Sequence, residues 1–117
     1  MIEMKGTEKQ VAWAEDIRSV MLDRLGAEKE RIEGEKVEAR PDRKIGSITI
    51  KGVTLEQAEA EHRAKLDRVV YEIAQLLCFD DAVWFIENRR FASDGWGIVS
   101  LEKAIRSHTE YIVSKRA

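Results

Sequence analysis

The sequence predicts a mainly α-helical fold, a small bundle of about four helices with a charged loop or short β-hairpin between the first two. Apolar residues recur every three or four positions over long stretches, which is typical of helices packed on one face. Two Thr-x-x-Gln patterns have the capping-box spacing of helix starts. One proline and seven glycines in 117 residues leave few helix breakers. The length suits one domain, 1–117.

The first helix is predicted over about residues 7–30. Thr7 and Gln10 have the capping-box spacing, and the helix is expected to end between Gly26 and Gly34. An apolar stripe follows the cap at helical spacing: Val11, Ala14, Ile17, Val20, Met21 and Leu25. Trp13 lies near Val20 on the helical wheel, so the apolar arc is wide and predicts contacts with several neighbours.

Residues 33–52 are predicted to form a charged loop or a hairpin. Apolar and polar side chains alternate over 48–51, which indicates a short strand. The segment KVEAR, 36–40, is the candidate partner strand, with a turn at Pro41–Asp42. We therefore expect at least one strand within 36–51. A two-stranded hairpin is marginal alone, so it must lean on the helices or pair with another chain.

The second helix is predicted over about 54–78, because Thr54 and Gln57 repeat the capping-box spacing. Its stripe is the strongest periodic signal in the chain: Leu55, Ala58, His62, Leu66, Val69, Ile73 and Leu76. Cys78 ends an apolar run and is expected to be a buried, inert thiol.

Two further helices are predicted after residue 80. Asp80 or Asp81 is the expected cap of a short helix over about 81–90, which is apolar on nearly every side and should lie inside the bundle. SDGWG, 93–97, has the composition of a turn. Ser100 is the expected cap of a last helix over about 100–115, whose apolar face holds Leu101, Ala104, Ile105, His108 and Ile112.

Composition excludes several classes of protein. The net charge of −2 argues against coating nucleic acid by bulk electrostatics, although a local basic patch is compatible with it. A single cysteine excludes an internal disulfide and fits a reducing compartment. No apolar run reaches the ~20 residues that cross a bilayer, and the N-terminus lacks the apolar core of a signal peptide. We therefore predict a cytoplasmic protein without a membrane partner.

No catalytic or cofactor motif is found in the sequence. Phosphate loops, dinucleotide fingerprints, Cys-rich metal spacings and Ser-His-Asp candidates are missing, so we expect neither an enzyme nor a cofactor. Glu59 and His62 could share a metal on one helix face, but a dinuclear site needs such pairs on two helices. His62 and His108 are expected to be half-buried rings with one nitrogen bonded; the alternative is a pH-sensitive contact.

Two arginines occupy apolar faces. Arg18 falls within the stripe of the first helix, and Arg89 falls on the apolar side of the short helix. A buried charge is costly unless it is paired, so Arg18 is expected to be buried where these helices meet, bonded to a carboxylate. Glu87 is the first candidate, with Asp80 and Asp81 as the others. Either arginine could hold the fold, or line a groove that receives an acidic or phosphate group.

The stretches GTEKQVAWAEDIR and AVWFIENR resemble a group of small bacterial, phage and mobile-element proteins. These open with Gly-Ser/Thr-x-Lys-Gln-Ile/Val-x-Trp-Ala-x-x-Ile-Arg and later carry Trp-Trp-Ile-Asp-Asn-Arg. The first pattern is matched by Gly6, Lys9, Gln10, Trp13, Ala14, Ile17 and Arg18. The second is matched by Trp84, Ile86, Asn88 and Arg89, with Phe85 and Glu87 as departures. The resemblance implies a bacterial or phage setting and pairing of the first and third helices, and it implies no reaction.

Two functional hypotheses follow. The first is an accessory protein-interaction domain acting through Trp13, Arg18, Trp84, Glu87 and Arg89, because tryptophan and arginine are enriched in interface hot spots. Its partner would be another protein or a second copy of the chain. The alternative is a nucleic-acid-binding module, since the residues from Phe85 onward carry six basic and four acidic side chains. In that case ENRR, 87–90, and SKRA, 114–117, would contact phosphates.

Overall fold

The computed structural model describes residues 3–93 and 95–116 of the chain. Four helices and one hairpin follow in the order α1 (Glu8–Glu33), β1 (Arg43–Ile45), β2 (Ile48–Ile50), α2 (Leu55–Cys78), α3 (Ala82–Glu87) and α4 (Ile98–Arg116). A short 3-10 helix, Arg89–Ala92, continues from α3. The predicted mainly α-helical bundle with a hairpin between its first two helices is confirmed.

Both predicted capping boxes are present. In each, the threonine hydroxyl accepts a hydrogen bond from the glutamine backbone N–H, and the glutamine side chain accepts one from the threonine backbone N–H. Asp81 caps α3 by accepting a hydrogen bond from the Val83 N–H at 3.0 Å. α1 ends at Glu33 with Gly34 as its C-cap, within the predicted interval. These ends lie as predicted because a capping motif depends only on residues three or four positions apart.

α1 is the central helix of the bundle. It packs against α2, α3, α4 and the 3-10 helix, and α2 also packs against α4. Core side chains from every helix meet around it, and they include Ala14, Met21, Leu25, Leu76, Phe79, Phe85, Leu101 and Ile105. The predicted pairing of α1 with α3 is part of this core.

The segment before α1 is bonded to the link between α2 and α3. The Lys5 N–H donates to the Asp80 carbonyl at 2.5 Å, and the Ala82 N–H donates to the Lys5 carbonyl at 3.0 Å. Met4 is buried beside this bridge in the same core cluster. The start of α3 is therefore held from both sides, by α2 before it and by this N-terminal segment.

The hairpin is confirmed, but the predicted partner strand is wrong. β2 pairs with Arg43–Ile45 and not with the segment 36–40, of which only Arg40 forms a bridge, to Val53. The turn is Gly46–Ser47, with Gly46 at φ 63°, in the left-handed region that glycine tolerates at the first central position of a type II′ turn. Pro41 lacks an N–H and lies before the ladder, so Pro41–Asp42 is not the turn.

Two other predictions are wrong. α4 begins at Ile98 and not at Ser100, because Ile98 already packs against the core and its first turn closes with the Ser100 N–H bonded to the Gly97 carbonyl. Cys78 is exposed rather than buried. It follows the buried Leu76 by two residues, a rotation of about 200° that places it on the outer side of α2.

Candidate functional site

Trp13 and Arg89 form an exposed stacked pair where α1 meets the 3-10 helix. The Arg89 guanidinium carbon lies 5.4 Å from the centroid of the Trp13 ring, a cation–π distance. The Arg89 Nη1 also donates to the Ile86 carbonyl at 2.7 Å. The predicted inward position of Arg89 is wrong, because α3 ends at Glu87 and the tighter 3-10 turn moves Arg89 off the α-helical wheel.

Arg18 is buried in α1, as predicted, with 5% of its surface exposed. It borders a shallow cavity of about 290 Å³ that is also lined by Glu15, Ser19 and Leu22. Among the described residues, no bond joins Arg18 to its predicted partner Glu87, or to Asp80 or Asp81, although Arg18 does make another interaction. Glu87 is exposed at the end of α3, while the two aspartates are occupied by Lys5 and by the α3 cap.

Trp84, another member of the predicted site set, lies in a cluster of aromatic rings. It is 9% exposed and lies edge-on to Phe79 and Phe85, with ring centroids 4.9 and 5.0 Å away. Its ring stacks on His108 of α4 at 5.0 Å and 22°. These contacts hold the indole from three sides, and two of the neighbouring rings, Phe79 and Phe85, are themselves buried in the core.

An aromatic cleft of about 560 Å³ lies between α4 and the segment formed by α3, the 3-10 helix and the following turn. This surface is called the aromatic cleft below. Its lining combines five aromatic rings with a few polar groups: Trp84, Asn88, Phe91, Trp96, Ser100, Lys103, Ala104, Ser107, His108 and Tyr111. A concave, mainly apolar surface with a few convergent polar groups is typical of binding sites. The sequence hypothesis included only Trp84 among these residues.

Three nearly parallel rings form one side of the cleft. His108 stacks on the buried Trp84 and also on Tyr111, at 6.0 Å and 15°, and Tyr111 is half exposed. Burial lowers the pKa of His108, against the smaller opposing effects of Asp81 and Asp80. The imidazole is therefore mostly neutral near pH 7 and contributes to the cleft as a flat ring.

Arg24 holds the other side of the cleft in place. Its Nη1 donates to the Phe91 carbonyl at 2.5 Å, and its Nη2 donates to the Trp96 carbonyl at 2.6 Å. The two residues whose carbonyls it binds pack ring edge to ring face at 5.6 Å. Arg24 thus links the middle of α1 to the turn before α4. Its acceptors lie about 70 residues away in sequence, so no local pattern indicates this role.

A pair of buried acids, which is not among the predicted site residues, lies between α2 and α4. Glu72 and Glu102 are 0% and 3% exposed. The Arg68 Nε lies 3.2 Å from Glu102 Oε2, and the Arg106 Nε lies 3.9 Å from Glu72 Oε1. Burial, and then the adjacent Glu102 carboxyl, raise the pKa of Glu72 to about 8. Neither acid lines the aromatic cleft, so we assign the pair to the helix interface.

His62 has the structural role predicted for it. The ring is half-buried, and its Nε2 lies 2.7 Å from the Ile32 carbonyl, which ties α2 to the end of α1. His108 is also half-buried, but its contacts are ring stacking and no hydrogen bond of its ring is found in the described part of the chain. Residues 3–93 and 95–116 contain no group of three or more His, Cys, Asp or Glu side chains that could hold a metal ion.

The chain was compared with protein-family profiles, with curated proteins and with solved structures, and none of them matches it. None of the helices described here combines the length and the apolar character that crossing a bilayer requires.

Proposed function

We propose that this chain is a small accessory protein-interaction domain and that it binds a segment of its partner in the aromatic cleft. One observation carries the proposal: an open cleft of about 560 Å³ lined by five aromatic rings. Its volume lies within the range of roughly 300–1,000 Å³ that is usual for ligand pockets. Trp96 and Tyr111, at its rim, keep 47% and 54% of their surfaces in water. Covering such rings is a main source of binding energy at interfaces.

The lining specifies the chemistry of the bound segment. The rings favour a flat or branched apolar side chain inserted between the His108–Tyr111 side and the Phe91–Trp96 side. Lys103 lies at the same cleft and can pair with a carboxylate next to that anchor. We therefore expect a partner segment with an aromatic or large aliphatic anchor and an acidic neighbour.

The proposal differs from the sequence hypothesis in the residues that bind. From the predicted set, Trp84 belongs to the cleft, while Trp13 and Arg89 offer a separate exposed contact. Arg18, at 5% exposure, supports the packing of α1 more than it offers a contact surface. We keep the proposed cytoplasmic setting and the bacterial or phage origin, and we assign no reaction.

The test uses selection from a random peptide library displayed on phage, followed by titration of the selected peptides in solution. The cleft variant combines Trp96→Ala with Tyr111→Ala, two exposed residues whose loss leaves the core intact. The matched control is Trp13→Ala, which removes a similarly exposed indole outside the cleft. We expect the cleft variant to bind at least about tenfold more weakly, and the control to stay within about twofold of the original chain.

Three outcomes contradict the proposal. One is that no peptide is selected, and another is that the selected peptides bind the cleft variant as well as they bind the original chain. The third is tighter binding of single-stranded DNA or RNA to the rings, since bases also stack on aromatic side chains beside cations. Light scattering of the free protein separates a second copy of the chain from a different partner.

A further inference from the structure

The β-hairpin projects from the helical body. Neither strand packs against any of the described helices, and its three isoleucines, Ile45, Ile48 and Ile50, keep 64%, 66% and 43% of their surfaces exposed. The molecule measures 60 × 34 × 26 Å, with a radius of gyration of 18.2 Å. A compact domain of this length has a radius of gyration of about 13 Å. Two strands on their own are marginally stable, so an unpacked hairpin suggests a surface that something else covers.

The charge of the hairpin is opposite to that of the rest of the chain. Residues 40–52 contain four cations and one acid, a net charge of +3, while the remaining residues carry 16 cations and 21 acids, a net charge of −5. Arg40 pairs with Glu61 at 3.1 Å. Within the described residues, Arg43, Lys44 and Lys51 make no ion pair. Three cations are therefore available to an anionic partner.

Two of these cations, Arg43 and Lys51, line a concave surface at the base of the hairpin. A cavity of about 280 Å³ is lined by Arg40, Pro41, Arg43, Ile50, Lys51 and Gly52. The nearby Asp42 carboxylate accepts the Gly52 N–H at 2.6 Å and does not line the cavity. Cationic side chains converging on one cavity without an acid in it favour a phosphate group.

The pairing register separates two faces of the hairpin. Ile45 opposes Ile48 and Arg43 opposes Ile50, so the isoleucines share one face. Lys44 and Thr49 oppose each other on the other face. Ile45 and Ile48 flank the turn, which makes the tip of the arm apolar while its base is cationic.

We propose that this hairpin is an arm that binds double-stranded DNA. The cations at its base contact backbone phosphates, and the isoleucines at its tip enter a groove. Either groove of the duplex can accept such an arm. The major groove, about 12 Å wide, admits a two-stranded ribbon. In the minor groove, apolar side chains such as isoleucine insert between base steps. The acidic body repels phosphates and so directs the duplex to the hairpin. This inference goes beyond the proposed peptide cleft and uses none of its residues.

The test measures fluorescence anisotropy of a labelled mixed-sequence duplex of about 20 base pairs, titrated with the full chain at several salt concentrations. The charge variant combines Arg43→Gln, Lys44→Gln and Lys51→Gln, the three exposed cations of the hairpin that make no ion pair within the described residues. We expect at least about tenfold weaker binding at low salt, and a log–log salt slope that is smaller by about 3. The matched control, Lys115→Gln with Arg116→Gln, removes exposed cations from α4 and should leave both quantities unchanged.

A second variant tests the tip. Ile45→Ser with Ile48→Ser removes apolar surface and no charge, so we expect weaker binding with an unchanged salt slope. Circular dichroism checks that the helical body stays folded in each variant. No binding at low salt, loss of binding in the α4 control alone, or a tip variant with unaltered affinity would each overturn the proposal. Self-association that the tip variant abolishes, without DNA binding by the original chain, would also overturn it and would assign the isoleucines to a second copy.

Discussion

The two sides of α4 differ in the kind of side chain that each exposes to water or buries. On the side facing α2, Glu102 is buried next to Glu72, so two acids are removed from water. On the side facing the aromatic cleft, Tyr111 and the neighbouring rings remain partly in water. Burial of acids and exposure of aromatic surface both run against the usual distribution of residues. The first costs stability within the chain, and the second leaves apolar surface for a partner to cover.

The largest effect is expected on the side facing α2, where the free energy of unfolding should depend on pH through Glu72. Its pKa is raised to about 8 in the folded chain, from an ordinary value of 4.5. Between these values the unfolded chain has lost the proton that the folded chain keeps, so stability falls as pH rises. The limit is about 1.4 kcal/mol per pH unit, or roughly 4 kcal/mol between pH 5 and 8.

Glu72→Gln should remove this slope, because the amide keeps the shape without the charge. Urea unfolding at pH 5 to 9 measures the free energy of unfolding of the variant and of the original chain. The difference between their pH slopes is the contribution of Glu72. Glu110→Gln, which changes an exposed glutamate of α4, is the control and should leave the slope in place. Equal slopes in the original chain and Glu72→Gln would mean that the buried acid is ionised at neutral pH.

A medium effect is expected from Arg24, which holds the cleft side of the molecule. Arg24→Met keeps an unbranched side chain but removes the donors to the Phe91 and Trp96 carbonyls. Hydrogen bonds from a charged donor are worth roughly 1.5–3 kcal/mol each. The bond to Trp96 is exposed, so water can replace part of it in the variant. We therefore expect Arg24→Met to lower the free energy of unfolding by roughly 2–3 kcal/mol. Near-ultraviolet circular dichroism should also change as the Trp96 ring loses its fixed position.

Arg63→Met, an exposed arginine of α2, is the matched control for stability. If Arg24→Met lowers stability while peptides selected on the original chain still bind with the original affinity, then the turn before α4 is not part of the binding surface.

The smallest effect is expected from His108. His108→Phe keeps the ring between Trp84 and Tyr111, so stability at pH 7 should change by no more than about 1 kcal/mol. Burial lowers the pKa of His108, so the unfolded chain takes up a proton first. The original chain should therefore lose stability as pH falls below about 6.5, and the variant should lose less. Identical acid limbs would show that the imidazole titrates equally in both states.

The helices were predictable because their signals are local. Capping boxes and apolar stripes depend on residues a few positions apart. Both boxes are present, and the seam of α2 is buried or half-buried from Ala58 to Leu76, while Leu55 at its start is exposed. The hairpin partner was missed although a local signal was present. Gly46 has the positive φ that a type II′ turn requires at its first central position, whereas the ring of Pro41 fixes φ at about −65° and excludes it from that position.

The candidate site was harder to predict, since its parts come from distant segments. Arg24 donates to backbone carbonyl groups, which every residue carries, so no residue type in the sequence identifies its partners. Glu72 is different. It lies three residues after Val69 and four before Leu76, within the same buried stripe, and the helical-wheel argument that singled out Arg18 applies to it equally. For Arg18 and for Glu72, the position of a charged residue within an apolar stripe was the sequence feature that indicated burial.

The two-residue turn of the hairpin constrains how its sequence can vary. Side chains alternate between faces, so a one-residue slip of one strand moves each of its residues to the opposite face. Inserting one residue within either strand would therefore move part of that strand to the opposite face, so that the isoleucines no longer share a face. One residue inserted in the turn, between Ile45 and Ile48, can instead be taken up as a three-residue loop with a bulge, which keeps the Ile45–Ile48 pair. Variants that keep the arm intact should thus carry added residues in the turn and none in the strands.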